Sequence, residues 1–336
     1  MPRIIFSILL LWTFALAAAE PETELGTEPV CDRACETLTR FDYLESKMAV
    51  PVRLILYAPS KEAADSAAEA VYRRFDDLND KLSDWSPESE LVRACRASGE
   101  KGEAVEISGD LYRVLAEARR FDELTAGAFD PTVSPVVKLW RRSRSFGKRP
   151  PEDYLNRAKA LVGRDKWELI PPTETEPARL RVFEKNVRLD LGGIAKGFAI
   201  DEGFEILRAL GLNRVLIDAG GDMRFGDAPP DTPGWRIAIA SLDKETPLET
   251  RTLSNRAAAT SGDTFQFLEI DGVRYSHLID PRSGEPLTHR SVVTIFADTA
   301  AAADALASAV SVLGETEGRA LIQTLPETEA AILTEE

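Results

Sequence analysis

Three groups of residues have the types and spacing for acid–base and anion chemistry. The first is Tyr275-Ser276-His277-Leu278-Ile279-Asp280-Pro281-Arg282-Ser283-Gly284, which holds one of only two histidines in the 336-residue chain. Pro281 fixes its own φ and Gly284 tolerates positive φ, so an Asp-Pro-x-x-Gly turn should hold the flanking residues rigidly. A rigidly held imidazole suits a general base. It equally suits a strand-end histidine satisfied by hydrogen bonds. The second group is Leu189-Asp190-Leu191-Gly192-Gly193-Ile194-Ala195-Lys196-Gly197-Phe198-Ala199-Ile200-Asp201, where a carboxylate, two glycines and a lysine surround the start of a helix. Free N–H groups at a helix N-terminus attract anions, and glycine lets a phosphate approach the backbone. The segment matches neither a Walker A loop nor a Gly-x-Gly-x-x-Gly fingerprint, and a close-packed strand-to-helix turn is its other reading. The third group is Asp304 and Ser308, which lie at i and i+4 on a helix otherwise rich in alanine, leucine and valine. Both oxygens then leave one helix face. Either Asp304 faces solvent, or it is embedded and needs a partner, and a hard cation such as Mg²⁺ would serve.

Other segments carry weaker signals. Asp218-Ala219-Gly220-Gly221-Asp222 puts a second diglycine after an apolar run. Gly127-Ala128-Phe129-Asp130-Pro131-Thr132 is a punctuated loop with one carboxylate, and the polar stretch 82–90 carries Trp85, an aromatic that could cover a planar ring or pack on the domain edge.

The elements that must position these residues follow from periodicity. Apolar residues at Ala64, Ala67, Ala68, Val71, Phe75, Leu78 and Leu82 predict a helix over 61–81. Helices are also expected at 110–124, 152–162, 194–210, 300–313 and 316–324, with Asp298 or Thr299 capping the helix that bears Asp304. Strands are expected at 52–57, 166–170, 179–184, 187–191, 213–217, 235–240, 247–252, 264–270, 273–279, 291–297 and 329–334. Ile270-Asp271-Gly272-Val273 is the clearest hairpin signal. Several strands are separated by only a few residues, which favours antiparallel pairing, so the class is α+β. The segments 141–151 and 226–234 read as surface loops.

Composition limits the partners. A net charge of −15 and a pI near 4.8 argue against a nucleic-acid binder, because that affinity rests on Lys/Arg neutralisation of phosphates. Residues 1–19 have the order of a secretory signal: a basic start, an apolar run and a small-residue cleavage site at Ala17-Ala18-Ala19. Cys31 lies too far from the apolar run for a lipoprotein signal. An uncleaved membrane anchor is the other reading of residues 1–19, for which the apolar run is short; an exported protein, periplasmic in a Gram-negative cell, is expected. Residues 20–40 read as a flexible leader and 41–336 as the folded domain. Export permits a Cys31–Cys35 disulfide, leaving Cys95 free, and three thiols without a histidine cluster make a poor zinc site.

Taken in this order, the motifs resemble the FAD:protein FMN transferases, the ApbE-type flavin transferases. The resemblance covers roughly Lys47 to the C-terminus. It is carried by Met48, the Leu-Ser-x-aromatic loop ending at Ser89-Glu90, the Gly127–Thr132 loop, Leu189–Gly197, Gly220-Gly221-Asp222, Thr260-Ser261-Gly262, the His277 segment and Asp304–Ser308. It implies one two-lobed unit of mixed, largely antiparallel sheets, with a flavin cleft between the lobes. By the same resemblance Met48, Trp85, Ala128, Phe129, Asp130, Asp190 and Lys196 contact FAD; Gly193, Asp304 and Ser308 hold Mg²⁺; and His277 is the catalytic base. FAD is then a substrate, and the acceptor is a flavoprotein carrying a threonine flavinylation site, so any membrane association comes through that acceptor. In this pattern Ser308 replaces a usual threonine, Trp85 a usual tyrosine, and Cys95 an asparagine near the metal. Two other readings compete: an Mg²⁺-dependent FAD diphosphatase using water, and a flavin-binding or trafficking protein without turnover. The latter has no need of a base.

Overall fold

The computed structural model describes residues 38–243, 246–262 and 267–335. The expected signal, most of the leader and the Cys31–Cys35 pair lie outside the described residues. The first strand, β1 (Thr39–Lys47), starts ahead of Phe41 and pairs with β2 (Val50–Ala58) through a turn in which Met48 and Ala49 both have positive φ. No Asn-Gly or Asp-Gly announces that hairpin, so its first strand escapes a sequence reading.

Helix α1 (Lys61–Leu82) buries the stripe predicted for it and is capped by Ser60, whose hydroxyl accepts from Ala63 N at 3.2 Å. A second helix, α2 (Glu90–Lys101), follows the Trp85 loop; then come β3 (Val105–Glu106), α3 (Gly109–Leu124) and a short 3-10 turn at Pro131–Val133. Helix α4 (Ser134–Phe146) occupies much of the segment expected as a loop, and Gly147 ends it in the left-handed conformation. Its basic residues are good helix formers, and only Ser143 of residues 141–146 is buried, so the periodic apolar signal fades before the helix does.

Next are α5 (Glu152–Lys159), β4 (Trp167–Ile170), β5 (Arg179–Val182), α6 (Ala195–Ala209), β6 (Val215–Ala219), β7 (Asp222–Phe225), β8 (Trp235–Ile239), β9 (Glu249–Leu253) and β10 (Arg256–Gly262). The chain closes with β11 (Phe267–Ile270), β12 (Val273–Ser276), β13 (Ile279–Asp280), β14 (Glu285–Pro286), β15 (Arg290–Ala297), α7 (Ala300–Gln323) and β16 (Glu329–Glu335). Residues 187–191 are not a strand. Val187, Leu189 and Leu191 are buried in alternation as a strand requires, but the Asp190 N–H donates to Pro131 O at 2.7 Å instead of joining a ladder. Gly314, at φ 74°, breaks α7 into the two helices expected there.

One seven-stranded sheet organises the molecule in the order β1-β2-β6-β7-β10-β15-β16, and every neighbouring pair is antiparallel. The α+β class expected from the short connections is what the chain adopts. Helices α1, α6 and α7 bury the main core against this sheet, including Phe75, Leu54, Ile217 and Ile295. A smaller core around Phe225, Phe296 and Trp235 joins the sheet to the β8–β9 hairpin. A third core matters most for the site. Trp140 of α4 stacks on Tyr275 with ring centroids 5.2 Å apart and donates its Nε1 to Gly284 O at 3.2 Å, which fastens the β12–β14 segment to α4.

Candidate functional site

A cleft of about 430 Å³ opens among the 3-10 turn, α4, the start of α6, the end of β10, the β12–β13 connection and α7. The Asp-Pro-x-x-Gly turn has the form expected of it. Gly284 N donates to Asp280 O at 2.7 Å with φ 74°, and the Asp280 carboxylate accepts from Arg282 N at 2.9 Å. On either side of His277 the backbone is fixed as well: Ser276 N donates to Leu287 O at 2.8 Å, Leu287 N donates to Leu278 O at 3.0 Å, and Ser276 Oγ accepts from Leu278 N at 3.1 Å. His277 is thereby held in the cleft wall.

The same cleft holds a buried ionic triad. Lys196 leaves the first turn of α6 and donates to Asp222, at the start of β7, and to both oxygens of Asp304 at 3.2 and 3.3 Å. Asp304 also accepts from Gly197 N at 3.3 Å, so it serves the N-terminus of a helix that lacks a side-chain cap. Two buried carboxylates share one ammonium. Burial, and then the charge of Asp304, push Asp222 up to about 7. Burial works against the charge on Lys196, but Asp304 and Asp222 outweigh it and hold its pKa above the ordinary lysine range. Asp201, at the end of the same motif, is structural. It accepts from Ala300 N and Ala301 N, each at 2.9 Å, and so caps the helix that carries Asp304 one turn further on.

Gly193 and Ser308 are in contact. A Cβ built on Gly193 would stand 3.1 Å from Ser308 Oγ and 3.2 Å from the Phe129 ring. With Asp304 one turn before Ser308, a carboxylate and a hydroxyl line the cleft together with Gly193, and two carboxylates there share the single Lys196 charge. Among the described residues no group of three or more His, Cys, Asp and Glu could hold a metal. The donors present, the Asp304 carboxylate and the Ser308 hydroxyl, are oxygens of the kind a hard cation takes, with water or substrate phosphate completing its shell.

The near wall is the Ala128-Phe129-Asp130 loop. Asp130 accepts from Thr132 N at 2.8 Å and Thr132 Oγ1 at 2.6 Å, and burial raises its pKa against those bonds. Asp190 accepts from Gly192 N at 2.8 Å; burial, and then the neighbouring charge of Asp84, raise its pKa while Arg141 and the Gly192 amide oppose the rise. Thus Ala128, Phe129, Asp130, Asp190, Gly193, Lys196, His277, Asp304 and Ser308 line one cleft. Met48 and Trp85 do not. Met48 sits at the β1–β2 turn, whose neighbours Val50 and Pro51 pack against and hydrogen-bond Gly220 of the cleft wall. Trp85 is 73% exposed, and Arg141, which does line the cleft, lies over its ring at 4.1 Å. Cys95 is fully buried in the core and does not line the cleft, and burial pushes its thiol up to about 11.

Two site residues escape the sequence reading. Arg141 donates to Asp84 at 2.6 Å and to Asp190 at 3.3 Å, but it falls in a segment whose sequence reads as a loop. Asp222 is visible in the sequence only as the end of a weak diglycine motif. Its charge next to two glycines is the available signal.

Fold and cleft define an α+β protein that can hold a phosphate-bearing anion at a glycine-lysine turn, between a carboxylate-rich wall and a fixed histidine. Residues 48–333 match the model of the ApbE family. The chain is 35% identical over 269 residues to a Haemophilus influenzae FAD:protein FMN transferase, covering 76% of this chain and 74% of the relative. To the Vibrio cholerae FAD:protein FMN transferase it is 33% identical over 280 residues, 80% of each chain. Among solved structures it is similar to the flavin transferase ApbE from Vibrio cholerae, at TM-score 0.76 and 28% identity, with 88% of this chain and 93% of that one covered. The ApbE protein of Thermotoga maritima is similar at TM-score 0.78 and 28% identity, with coverage of 88% and 94%. The chain belongs to the ApbE family.

Proposed function

We propose that this protein is an Mg²⁺-dependent FAD:protein FMN transferase, exported from the cytoplasm, that moves FMN from FAD onto a threonine hydroxyl of a redox protein and releases AMP. The observation that carries this reading is the convergence of His277, the Asp222–Lys196–Asp304 triad and the Gly192-Gly193 turn on one cleft in a chain of this family.

Each of these residues contributes to the reaction. The Gly192-Gly193 turn and the α6 N-terminus accommodate the diphosphate, and Lys196 supplies a positive charge whose position is fixed by two carboxylates. Asp304, Ser308 and the Gly193 carbonyl would hold Mg²⁺. Bound there, the ion would withdraw charge from the diphosphate. His277 takes the proton of the threonine hydroxyl as its oxygen forms a bond to the phosphorus of the FMN half. The bond from that phosphorus to the bridging oxygen breaks, and AMP departs with that oxygen. FAD undergoes no redox change and is consumed as a substrate. Residues 1–19 support an exported location, where an acceptor at a membrane surface would be within reach.

The test is incubation of the purified protein with FAD, Mg²⁺ and candidate acceptors, followed by chromatography for AMP and mass spectrometry for an FMN-sized increase on a threonine. AMP without any modified acceptor would replace the transferase reading with hydrolysis. Neither product would reject both. His277→Ala should keep FAD binding and lose most of the transfer, and a variant with normal transfer would remove His277 from the mechanism.

A further inference from the structure

We infer that the exposed C-terminal half of α4 and the turn after it form a docking surface for an acidic segment of the acceptor protein. The inference rests on the transferase reading above.

Residues 138–149 hold six Lys and Arg residues and no Asp or Glu, in a chain whose net charge is −15. Two of the six are engaged: Arg141 with Asp84 and Asp190, and Arg149 with Glu285 and the Tyr275 hydroxyl. Among the described residues Lys138, Arg142, Arg144 and Lys148 form no salt bridge, in contrast to the many paired cations of α1 and α3. A helix C-terminus favours a nearby cation by roughly 0.3–1 kcal/mol, which explains Arg144 in the last turn. It does not explain Arg142 or Lys148, both exposed and without a salt bridge, in a segment where Phe146 is 76% exposed.

Position gives the surface its use. Arg141 and Arg144 lie at i and i+3 and so share a helix face. Arg141 is also a wall of the cleft and lies over Trp85. The cationic surface therefore begins at the cleft mouth, which the acceptor hydroxyl must enter to reach the phosphorus. On a molecule of opposite overall sign, such a patch attracts an acidic partner to this face and orients it there. The partner's chemistry is set by the same residues. An anionic membrane surface would call for an apolar face as well as cations, and this surface offers only Phe146 and Trp85, the latter under the Arg141 guanidinium. A polypeptide with Asp or Glu flanking its threonine satisfies both the charge and the need to thread a cleft.

The test uses the triple variant Arg142→Glu, Arg144→Glu, Lys148→Glu, which leaves every cleft residue in place. The probes are a fluorescent threonine peptide with Asp/Glu flanks, the same peptide with Asn/Gln flanks, and phosphatidylglycerol vesicles, each measured with full-length protein and FAD at low and high salt. The acidic peptide should bind at least tenfold more tightly than the neutral one at low salt, lose that advantage at high salt, and lose it in the triple variant. Equal binding of the two peptides, or an unchanged triple variant, would overturn the inference. Binding to vesicles in preference to the acidic peptide would overturn it too, by assigning the surface to lipid. FMN transfer to the threonine of the neutral peptide at saturating concentration, with AMP released, serves as the separate readout. If the wild type modifies neither peptide, the transferase reading fails whatever the binding shows, and a triple variant that still modifies the neutral peptide at the wild-type rate is folded with an intact cleft.

Discussion

Gly193→Ala isolates the contact on which the proposed cation site depends. The backbone at Gly193 is not left-handed, so a methyl group brings no conformational strain; its cost is crowding alone. That methyl would stand 3.1 Å from Ser308 Oγ, 3.5 Å from Ser308 Cβ and 3.2 Å from the Phe129 ring. Overpacking costs about 1–3 kcal/mol in general, and the low end applies because both neighbours are side chains and the Ser308 hydroxyl can rotate away. Burying the methyl returns up to about 0.8 kcal/mol. The net change in stability should be under about 1 kcal/mol, a melting shift of no more than roughly 4 °C for a domain of this size. The hydroxyl, however, leaves its place beside Asp304, so Mg²⁺ affinity and AMP release should each fall by about tenfold, or 1.4 kcal/mol. Calorimetric Mg²⁺ titration and thermal melts measure the two effects separately. Ser308→Ala removes the crowding oxygen, so the double variant should melt like Ser308→Ala alone and bind Mg²⁺ no worse than it, a clear departure from additivity. Unchanged Mg²⁺ affinity in Gly193→Ala, or strictly additive effects in the pair, would refute the assignment.

Three further outcomes are expected. In Gly197→Ala the new methyl falls within 2.6 Å of the Ala300–Ala301 peptide, backbone against backbone, and nothing there can swing aside; melting should drop by at least about 6 °C, from a cost of some 3 kcal/mol, and a wild-type melt would contradict the α6–α7 packing. Asp110 is held well below the usual carboxylate range, first by Arg74 and then by Lys81 and Arg113. A depressed carboxylate contributes stability that is present above its ordinary pKa and lost as pH falls through the folded value. Asp110→Asn should therefore cost about 2 kcal/mol at pH 7, with the difference shrinking in strong acid; urea melts at pH 7 and pH 3 that differ equally from wild type would disprove the linkage. Asp222, pushed up to about 7 by burial and by Asp304, carries a proton below neutrality, and a cation bound at Asp304 favours its ionised form. Mg²⁺ binding should then release protons at pH 6.5 and much less at pH 8.5, and calorimetry with no buffer dependence at the lower pH would count against that coupling.

Features that depend on a few adjacent residues are legible in the sequence. The stripe of α1, the Asp271-Gly272 hairpin, the Asp280–Gly284 turn and the helix start at Lys196 all follow from local periodicity or from the φ that proline and glycine allow. Pairing partners are less accessible. Residues 187–191 alternate like a strand, yet alternation reports burial and not whether another strand lies alongside. Helix α4 runs past its apolar stripe because its last turns face outward, and Arg141 stays hidden with them. The hairpin at Met48 uses positive φ without the residues that usually mark it.

By itself, the sequence determined the α+β class, the Asp280–Gly284 turn and the helix start at Lys196, because composition and short-range stereochemistry act within a few residues. Only the tertiary structure decided which charges meet. Lys196 reaches Asp222 and Asp304 because α6 and α7 pack closely at Gly197 and β7 begins beside them, and Asp201 caps α7 to fix that approach. Coulombic partners far apart in the chain are chosen by the packing of the elements that bear them, and no periodicity within either segment encodes that choice.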